Sequence, residues 1–176
     1  MLPRDFTEEQ KMFRDAYRKF LASEIVPHME AWREAGIVDR EAFRKAGDQG
    51  FLMVWPDEKY GGLGDYDIRY DQIIIEETSY ARCGDWFANL HGRLVAPYFH
   101  RFGSEEQCMR FLPKCVSGES ILAIAMTEPD AGSDLAGMRS TAVEQDDHWV
   151  LNGSKTFISN GINADVVIVA AKTDPN

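Results

Sequence analysis

One loop of the sequence combines hydroxyl side chains, a glycine and closely spaced backbone donors. The apolar residues 121–126 are followed at once by TEPDAGSD, in which Thr127 and Ser133 carry hydroxyls and Gly132 permits a close backbone approach. Successive N–H groups of such a turn can point at one anion or cofactor. A well-capped surface turn would explain the same residues. The loop also carries three carboxylates, which suit an anion only if they point away or bond backbone groups: Glu128, Asp130 and Asp134.

A second stretch, NGSKTFISNG at residues 152–161, offers an aromatic ring and a hydroxyl. Phe157 and Ser159 lie two residues apart, and side chains with that spacing share one face of a strand. On a strand, the pair would present a flat ring and a hydrogen-bonding group to one ligand. The alternative is a core phenylalanine beside an exposed serine.

Helices are expected to occupy the first two thirds of the chain. Thr7 with Gln10 and Ser104 with Gln107 form capping boxes that predict two helix starts. Apolar residues recur at helical spacing after Thr7, and Pro27 ends or kinks that first helix. The predicted helices span residues 7–25, a shorter piece that runs to Gly36, and residues 40–48, 68–82, 86–102 and 104–118.

The sequence pattern changes near residue 118, where short strands replace helices. A continuous apolar strand, a hairpin that turns at Asp146-Asp147 and a last buried strand are predicted over residues 120–126, 139–152 and 165–172. The fold class predicted is α+β, with an N-terminal all-helical domain, residues 1–118, followed by an incomplete β domain, residues 119–176. Because so few strands leave sheet edges uncovered, we expect a piece of a longer chain, or cover from a partner chain.

Composition argues against several classes of function. The net charge of −10 disfavours nucleic-acid binding, and no apolar run is long enough to cross a membrane. The N-terminus has no signal-peptide core, and three cysteines without a Cys-x-x-Cys pair indicate free thiols in a reducing cytoplasm. The four histidines are scattered, so no metal site is predicted.

Taken together, AMTEPDAGSDLAGMRSTA and WVLNGSKTFISNGINADVVIVAAKT resemble the flavin-binding segments of the acyl-CoA dehydrogenase family. FLMVWPDEKYGGLG and FGSEEQCMRFLPKCVSGE are also similar, so the resemblance covers nearly the whole chain and is closest to the long-chain branch or its bacterial relatives. Family members have an N-terminal helical domain, a middle β domain and a C-terminal four-helix domain. The resemblance implies that this sequence supplies the first and part of the second, with the C-terminal helical domain absent.

The resemblance also implies FAD as the cofactor. Thr127 would bond the flavin ring system with Met126 packed nearby, and Ser133 would meet the FAD pyrophosphate and touch the acyl-CoA. Phe157 occupies the position where most members have a Trp against the flavin, and Ser159 replaces a Thr that bonds near the reactive flavin nitrogen. The implied cofactor-binding residues are Ile124, Met126, Thr127, Gly132, Ser133, Phe157, Ile158 and Ser159.

The reaction implied is oxidation of an acyl-CoA thioester to the trans-2-enoyl-CoA. A carboxylate base removes the α-proton while a hydride leaves the β-carbon for the flavin. No residue here matches the family's base, which is therefore expected beyond Asn176, and the 176-residue chain alone is expected to be inactive. The implied substrate-binding residues are Ser133 and three residues of one predicted helix, Trp86, Phe87 and Leu90. For the two aromatic residues of that helix, core packing is the alternative.

The resemblance further implies an electron-transferring flavoprotein as the partner and a homotetramer as the assembly. Two other functions stay open for this sequence. An acyl-CoA oxidase or flavin monooxygenase of the same fold would differ in the oxygen reactivity of its reduced flavin. A non-catalytic module would keep the fold and bind no flavin.

Overall fold

The first part of the chain is a cluster of six α-helices joined by tighter and wider helical turns. The computed structural model describes residues 5–174. The α-helices are α1 (Glu8–Phe20), α2 (Met29–Ala35), α3 (Arg40–Asp48), α4 (Ile68–Tyr80), α5 (Pro97–Phe102) and α6 (Glu105–Val116). They enclose an aromatic-rich core, in which the Phe13, Tyr17, Phe20 and Phe51 rings contact one another.

Helix boundaries follow the local capping signals. The side chains of Thr7 and Ser104 each accept a hydrogen bond from the N–H of a glutamine three residues on, at 3.2 Å, and both glutamines bond back. Both predicted capping boxes are therefore confirmed. Asp39 caps α3 by accepting from Glu41 N at 2.9 Å, two residues on. Helix α2 ends at Gly36, whose φ of +70° is the left-handed conformation that glycine adopts at little cost.

Two expected helices are interrupted. The first passes through a π-helical turn (Leu21–Ile25) and a 3₁₀ turn (Val26–His28) at Pro27 before α2 begins. The predicted helix over residues 86–102 is wrong at its start, because Trp86 N donates to Cys83 O at 2.9 Å and closes a turn there. Trp86 and Phe87 thus precede the helical residues, which continue through a π-helical segment (Leu90–Val95) to α5.

The second part contains two small sheets. Strand β1 (Leu122–Ala125) pairs in parallel with β4 (Val166–Val169), and β2 (Thr141–Gln145) pairs antiparallel with β3 (His148–Asn152). The predicted hairpin is confirmed, with Asp146 at its turn. The expectation of a buried last strand is wrong, because alternate residues of β4 are exposed and only the other face packs on the helical core. The α+β fold class is confirmed, and the division at residue 118 stays a prediction.

Within residues 5–174, no helix has the length and apolar character needed to cross a membrane. The same residues contain no cluster of His, Cys, Asp and Glu side chains that could hold a metal ion. Cys83, Cys108 and Cys115 are buried free thiols.

Candidate functional site

The carboxylates of the TEPDAGSD loop are all occupied by partners within the chain. Glu128 accepts hydrogen bonds from Arg139 N at 2.6 Å and Ser140 N at 2.9 Å. Asp130 accepts from the Arg139 guanidinium at 3.0 Å, and Asp134 accepts from Gly137 N at 3.3 Å. Glu128 and Asp134 meet the condition set for binding an anion, because they bond backbone N–H groups, whereas Asp130 is balanced by the Arg139 guanidinium.

Lys155 completes the charge balance at the base of the loop. Its Nζ lies 2.8 Å from Glu128 Oε1, and the two side chains are 11% and 5% exposed. The Lys155 ammonium, together with the donors of Ser140 and Arg139, holds the pKa of the Glu128 carboxyl well below its usual range. Lys155 also donates to Met126 O at 3.0 Å. The sequence reasoning missed Lys155, although a lysine between two Asn-Gly turns was a visible signal.

Several donors of the two predicted segments have no hydrogen-bond partner among residues 5–174. These are the hydroxyls of Thr127, Ser133 and Ser159 and the N–H groups of Gly132 and Ser133. Gly132 and Ser133 are exposed, and a Cβ added to Gly132 would meet nothing within 4 Å. The outer side of the loop is thus open and carries donors, which suits phosphate oxygens and the acceptor atoms of a heteroaromatic ring.

Phe157 lies on a loop and not on a strand, so the strand geometry expected for Phe157 and Ser159 is wrong. Its φ is +56° and that of Asn160 is +62°, so the backbone turns where a strand would have continued. The Phe157 ring is 91% exposed, which also excludes the core phenylalanine. A left-handed aromatic residue is uncommon and costs roughly 1–3 kcal/mol, and such strain is concentrated at functional sites.

An open cavity of about 440 Å³ lies between the helical part and this loop. It brings Phe87 together with Phe157, Ile158 and Ser159, although Phe87 is far from them in sequence. Its other lining residues come from the end of α2, from Asp85 and from the turn after Ser159: Trp32, Arg33, Gly36, Ile37, Val38, Asn160, Gly161, Ile162 and Asn163. Arg33 Nε and Asp85 Oδ2 form an ion pair 2.6 Å apart among these residues.

The remaining predicted residues lie elsewhere. Trp86 is 2% exposed and packs on the Phe43 ring, 4.8 Å between centroids, as the core-packing alternative expected. Leu90 and Ile124 are partly buried against the same core. Met126 and Thr127 do not line the cavity, but Thr156 N donates to Thr127 O at 3.0 Å and so ties the two predicted segments together.

Comparisons with known proteins agree over nearly the whole chain. The family model for the acyl-CoA dehydrogenase N-terminal domain matches residues 7–119, and that for the middle domain matches residues 123–176. The mitochondrial long-chain specific acyl-CoA dehydrogenase of Sus scrofa is 46% identical over 97% of this chain and 40% of its own length.

Solved structures give the same relationship. The crystal structure of an acyl-CoA dehydrogenase from Geobacillus kaustophilus has a TM-score of 0.93 and 50% identity, over 98% of this chain and 45% of that one. An acyl-CoA dehydrogenase from Bacillus anthracis complexed with FAD has a TM-score of 0.86 and 34% identity, over 99% of this chain and 31% of that one. The chain therefore spans less than half the length of each of these relatives.

Proposed function

The chain belongs to the acyl-CoA dehydrogenase family, and we propose that it forms part of an FAD-dependent enzyme that oxidises an acyl-CoA thioester to the trans-2-enoyl-CoA. The observation that carries the proposal is the set of unpartnered hydroxyl and N–H donors on the outer side of the TEPDAGSD loop. An acidic loop of this kind suits a pyrophosphate only because its three carboxylates are already bonded within the chain.

The donor set fits FAD residue by residue. Ser133 and the N–H groups beside it would hold the pyrophosphate, while the hydroxyls of Thr127 and Ser159 would bond acceptors of the ring system. The exposed Phe157 ring would lie against the flavin, which would remove its apolar surface from water. Ile124, Met126, Gly132 and Ile158 complete the proposed cofactor-binding set. When bound, FAD supplies the hydride acceptor for the oxidation.

For the acyl-CoA we propose contacts with Ser133 and with Phe87, which shares the cavity with Phe157 and Ser159. Leu90, partly buried below them, is retained as a wall residue, whereas the buried position of Trp86 favours core packing. The base is not assigned to any residue of this chain. Its expected position beyond Asn176, and the inactivity of the 176-residue chain alone, stay predictions.

The resemblance also supports an electron-transferring flavoprotein as the electron acceptor and a homotetramer as the assembly. Both are proposals about the whole protein. A cytoplasmic location is likewise a proposal from cysteine usage, and the Sus scrofa relative carries the word mitochondrial in its name.

The test is an anaerobic flavin spectrum of the full-length gene product, recorded before and after addition of a series of saturated acyl-CoAs. Bleaching of the flavin by one of them is the expected result, and the best substrate sets the chain length. A bound flavin that no acyl-CoA bleaches would favour the monooxygenase alternative, and rapid reoxidation by oxygen would favour the oxidase. A protein that cannot bind FAD would contradict the proposal and favour the non-catalytic module.

A further inference from the structure

Two backbone segments carry the proposed FAD contacts, and they meet at Lys155 and Thr156. Thr156 N donates to Thr127 O at 3.0 Å, and the Lys155 ammonium donates to Met126 O at 3.0 Å. Residues 126–133 and 157–159 therefore diverge from a common point. A change at that point alters the spacing between the donors on one segment and the ring and hydroxyl on the other.

The Lys155 side chain is fixed in three directions. An ammonium has three N–H donors, and here they face Met126 O at 3.0 Å, Glu128 Oε1 at 2.8 Å and Met138 Sδ at 3.4 Å. A side chain with an acceptor for each donor has little freedom to rotate, so its acceptors are held at fixed positions relative to one another.

Glu128 extends this restraint to the whole loop. Its carboxylate accepts from the N–H groups of Arg139 and Ser140, while its backbone N–H donates to Ala131 O at 2.8 Å. The chain between Glu128 and Ser140, which includes Ser133, is therefore closed at its base by one side chain. Lys155 bonds that same carboxylate, so the loop and the Phe157 segment are restrained together.

We propose that Lys155 is a positioning residue for FAD, which sets the separation between the 126–133 loop and Phe157 and Ser159 through Met126 O and Glu128. This inference rests on the proposed function. Lys155 need not contact the cofactor, because its effect passes through the two segments that do. Lys155 would therefore affect the FAD dissociation constant and the spectrum of the bound flavin, and not only the stability of the fold.

The experiment uses the full-length gene product with Lys155→Met, a variant of similar length without the ammonium. The FAD dissociation constant, the visible spectrum of bound flavin and the Tm of the apoprotein are measured. The expected result is a dissociation constant raised by about tenfold or more, the scale on which supporting residues affect bound groups, with an altered flavin spectrum. Lys172→Met is the matched control, since Lys172 is exposed and its hydrogen bonds within residues 5–174 come from its backbone.

A second pair of variants separates positioning from the burial of charge. Lys155→Met alone leaves the buried Glu128 carboxylate without its cation, which destabilises the fold in its own right. The double variant Glu128→Gln/Lys155→Met removes both charges, so we expect the Tm to recover while FAD affinity stays weak. Lys155→Arg keeps a cation and several donors, and we expect it to recover part of the affinity.

The inference would be overturned if both Lys155→Met and the double variant bound FAD with the wild-type dissociation constant and spectrum, whatever their Tm. It would also be overturned if FAD affinity and Tm recovered together in the double variant. A wild-type protein that binds no FAD is a different result, since it would contradict the proposed function itself. If Lys155→Met does not fold, the double variant and Lys155→Arg still give the comparison.

Discussion

Trp86 and Phe87 are neighbours in sequence but lie in different environments. Trp86 is buried against Phe43, whereas Phe87 is half-buried and lines the cavity with Phe157 and Ser159. We expect W86A to lower the free energy of unfolding by about 3–5 kcal/mol, the range for truncating a core aromatic, without changing the acyl-chain preference. We expect F87A to cost less stability and to shift the preference towards longer or bulkier acyl groups.

Urea unfolding and kcat/KM over a series of acyl-CoAs, measured on the full-length protein, distinguish these two effects. Each variant serves as the control for the other. The same chain-length profile in F87A and wild type would remove Phe87 from the acyl pocket. A changed profile in W86A with wild-type stability would show that the pocket reaches the core.

His91 is a fully buried residue whose two ring nitrogens both face backbone groups. Its Nδ1 accepts from Leu122 N at 3.1 Å, so the proton belongs on Nε2, which donates to Cys115 O at 2.9 Å. The neutral ring thus links α6 to β1. Burial lowers the pKa of His91 from 6.5 to about 4, and the bond to Cys115 opposes this shift only in part.

This pKa predicts an acid-sensitive stability. Because the unfolded chain takes up the His91 proton first, the stabilisation is present above pH 6.5 and is lost as the pH falls from 6.5 to about 4. The loss is on the order of 3 kcal/mol. Urea unfolding across this pH interval should show that the free energy of unfolding depends less on pH in H91Q than in wild type. H91Q should also be less stable near neutral pH. The control H148Q replaces an exposed histidine. A parallel loss of stability with falling pH in H91Q and wild type would assign the acid effect to another group.

At the scale of the elements, α3 and the end of α6 pack backbone to backbone, and two glycines permit it. A Cβ on Gly47 would lie 2.3 Å from the Ser117 carbonyl, and one on Gly118 would lie 2.2 Å from Phe43 O. Because Gly118 has a φ of +76°, a side chain there would be strained as well as overpacked. The position of α6 relative to α3, and with it the start of β1, depends on this contact.

We therefore expect G118A to be more destabilising than G50A. Gly50 has a similar φ of +74°, but a Cβ there would meet nothing within 4 Å, so G50A isolates the cost of the left-handed backbone, about 1–2 kcal/mol. Overpacking should add about 1–3 kcal/mol in G118A. Denaturant unfolding of both variants measures the difference, and equal losses would mean that α3 and α6 shift apart at little cost.

Local sequence signals predicted most helices and strands but did not predict the geometry of the candidate site. Capping boxes and helical periodicity predicted α1 and α6 because those signals depend on residues three or four apart. The strand expected at Phe157 was wrong because its left-handed backbone and the turn at Asn160 override the spacing of the side chains. The hydroxyl donors could be recognised from residue types. The ion pair between Glu128 and Lys155 could not be recognised, because the two residues lie 27 positions apart in sequence.

At the scale of the whole molecule, one arginine joins the helical part to the β part. Arg40, at the start of α3, donates from Nη1 to Asn163 O at 2.6 Å and from Nη2 to Glu119 O at 2.9 Å and Asp165 Oδ2 at 2.7 Å. Asn163 in turn donates to Val38 O at 3.0 Å. These bonds hold the turn that follows Ser159, and so one wall of the cavity, against the end of the α2–α3 connection.

Replacing Arg40 by lysine should loosen this junction without unfolding the helical part. A lysine cannot reproduce the planar fork that reaches three acceptors, and we expect a loss of about 1–2 kcal/mol at this partly exposed site. Hydrogen exchange should become faster in residues 157–165 and stay unchanged in α1 and α4, because local opening follows the contacts that are lost. R44K is the matched control, since Arg44 on the same helix forms an ion pair with Glu41, 3.5 Å away, and acts on Asp165 through its charge, which lysine keeps. If R40K left exchange in residues 157–165 unchanged, or accelerated it equally in α1, the loop bearing Phe157 and Ser159 would be held by its own turn and not by the helical part.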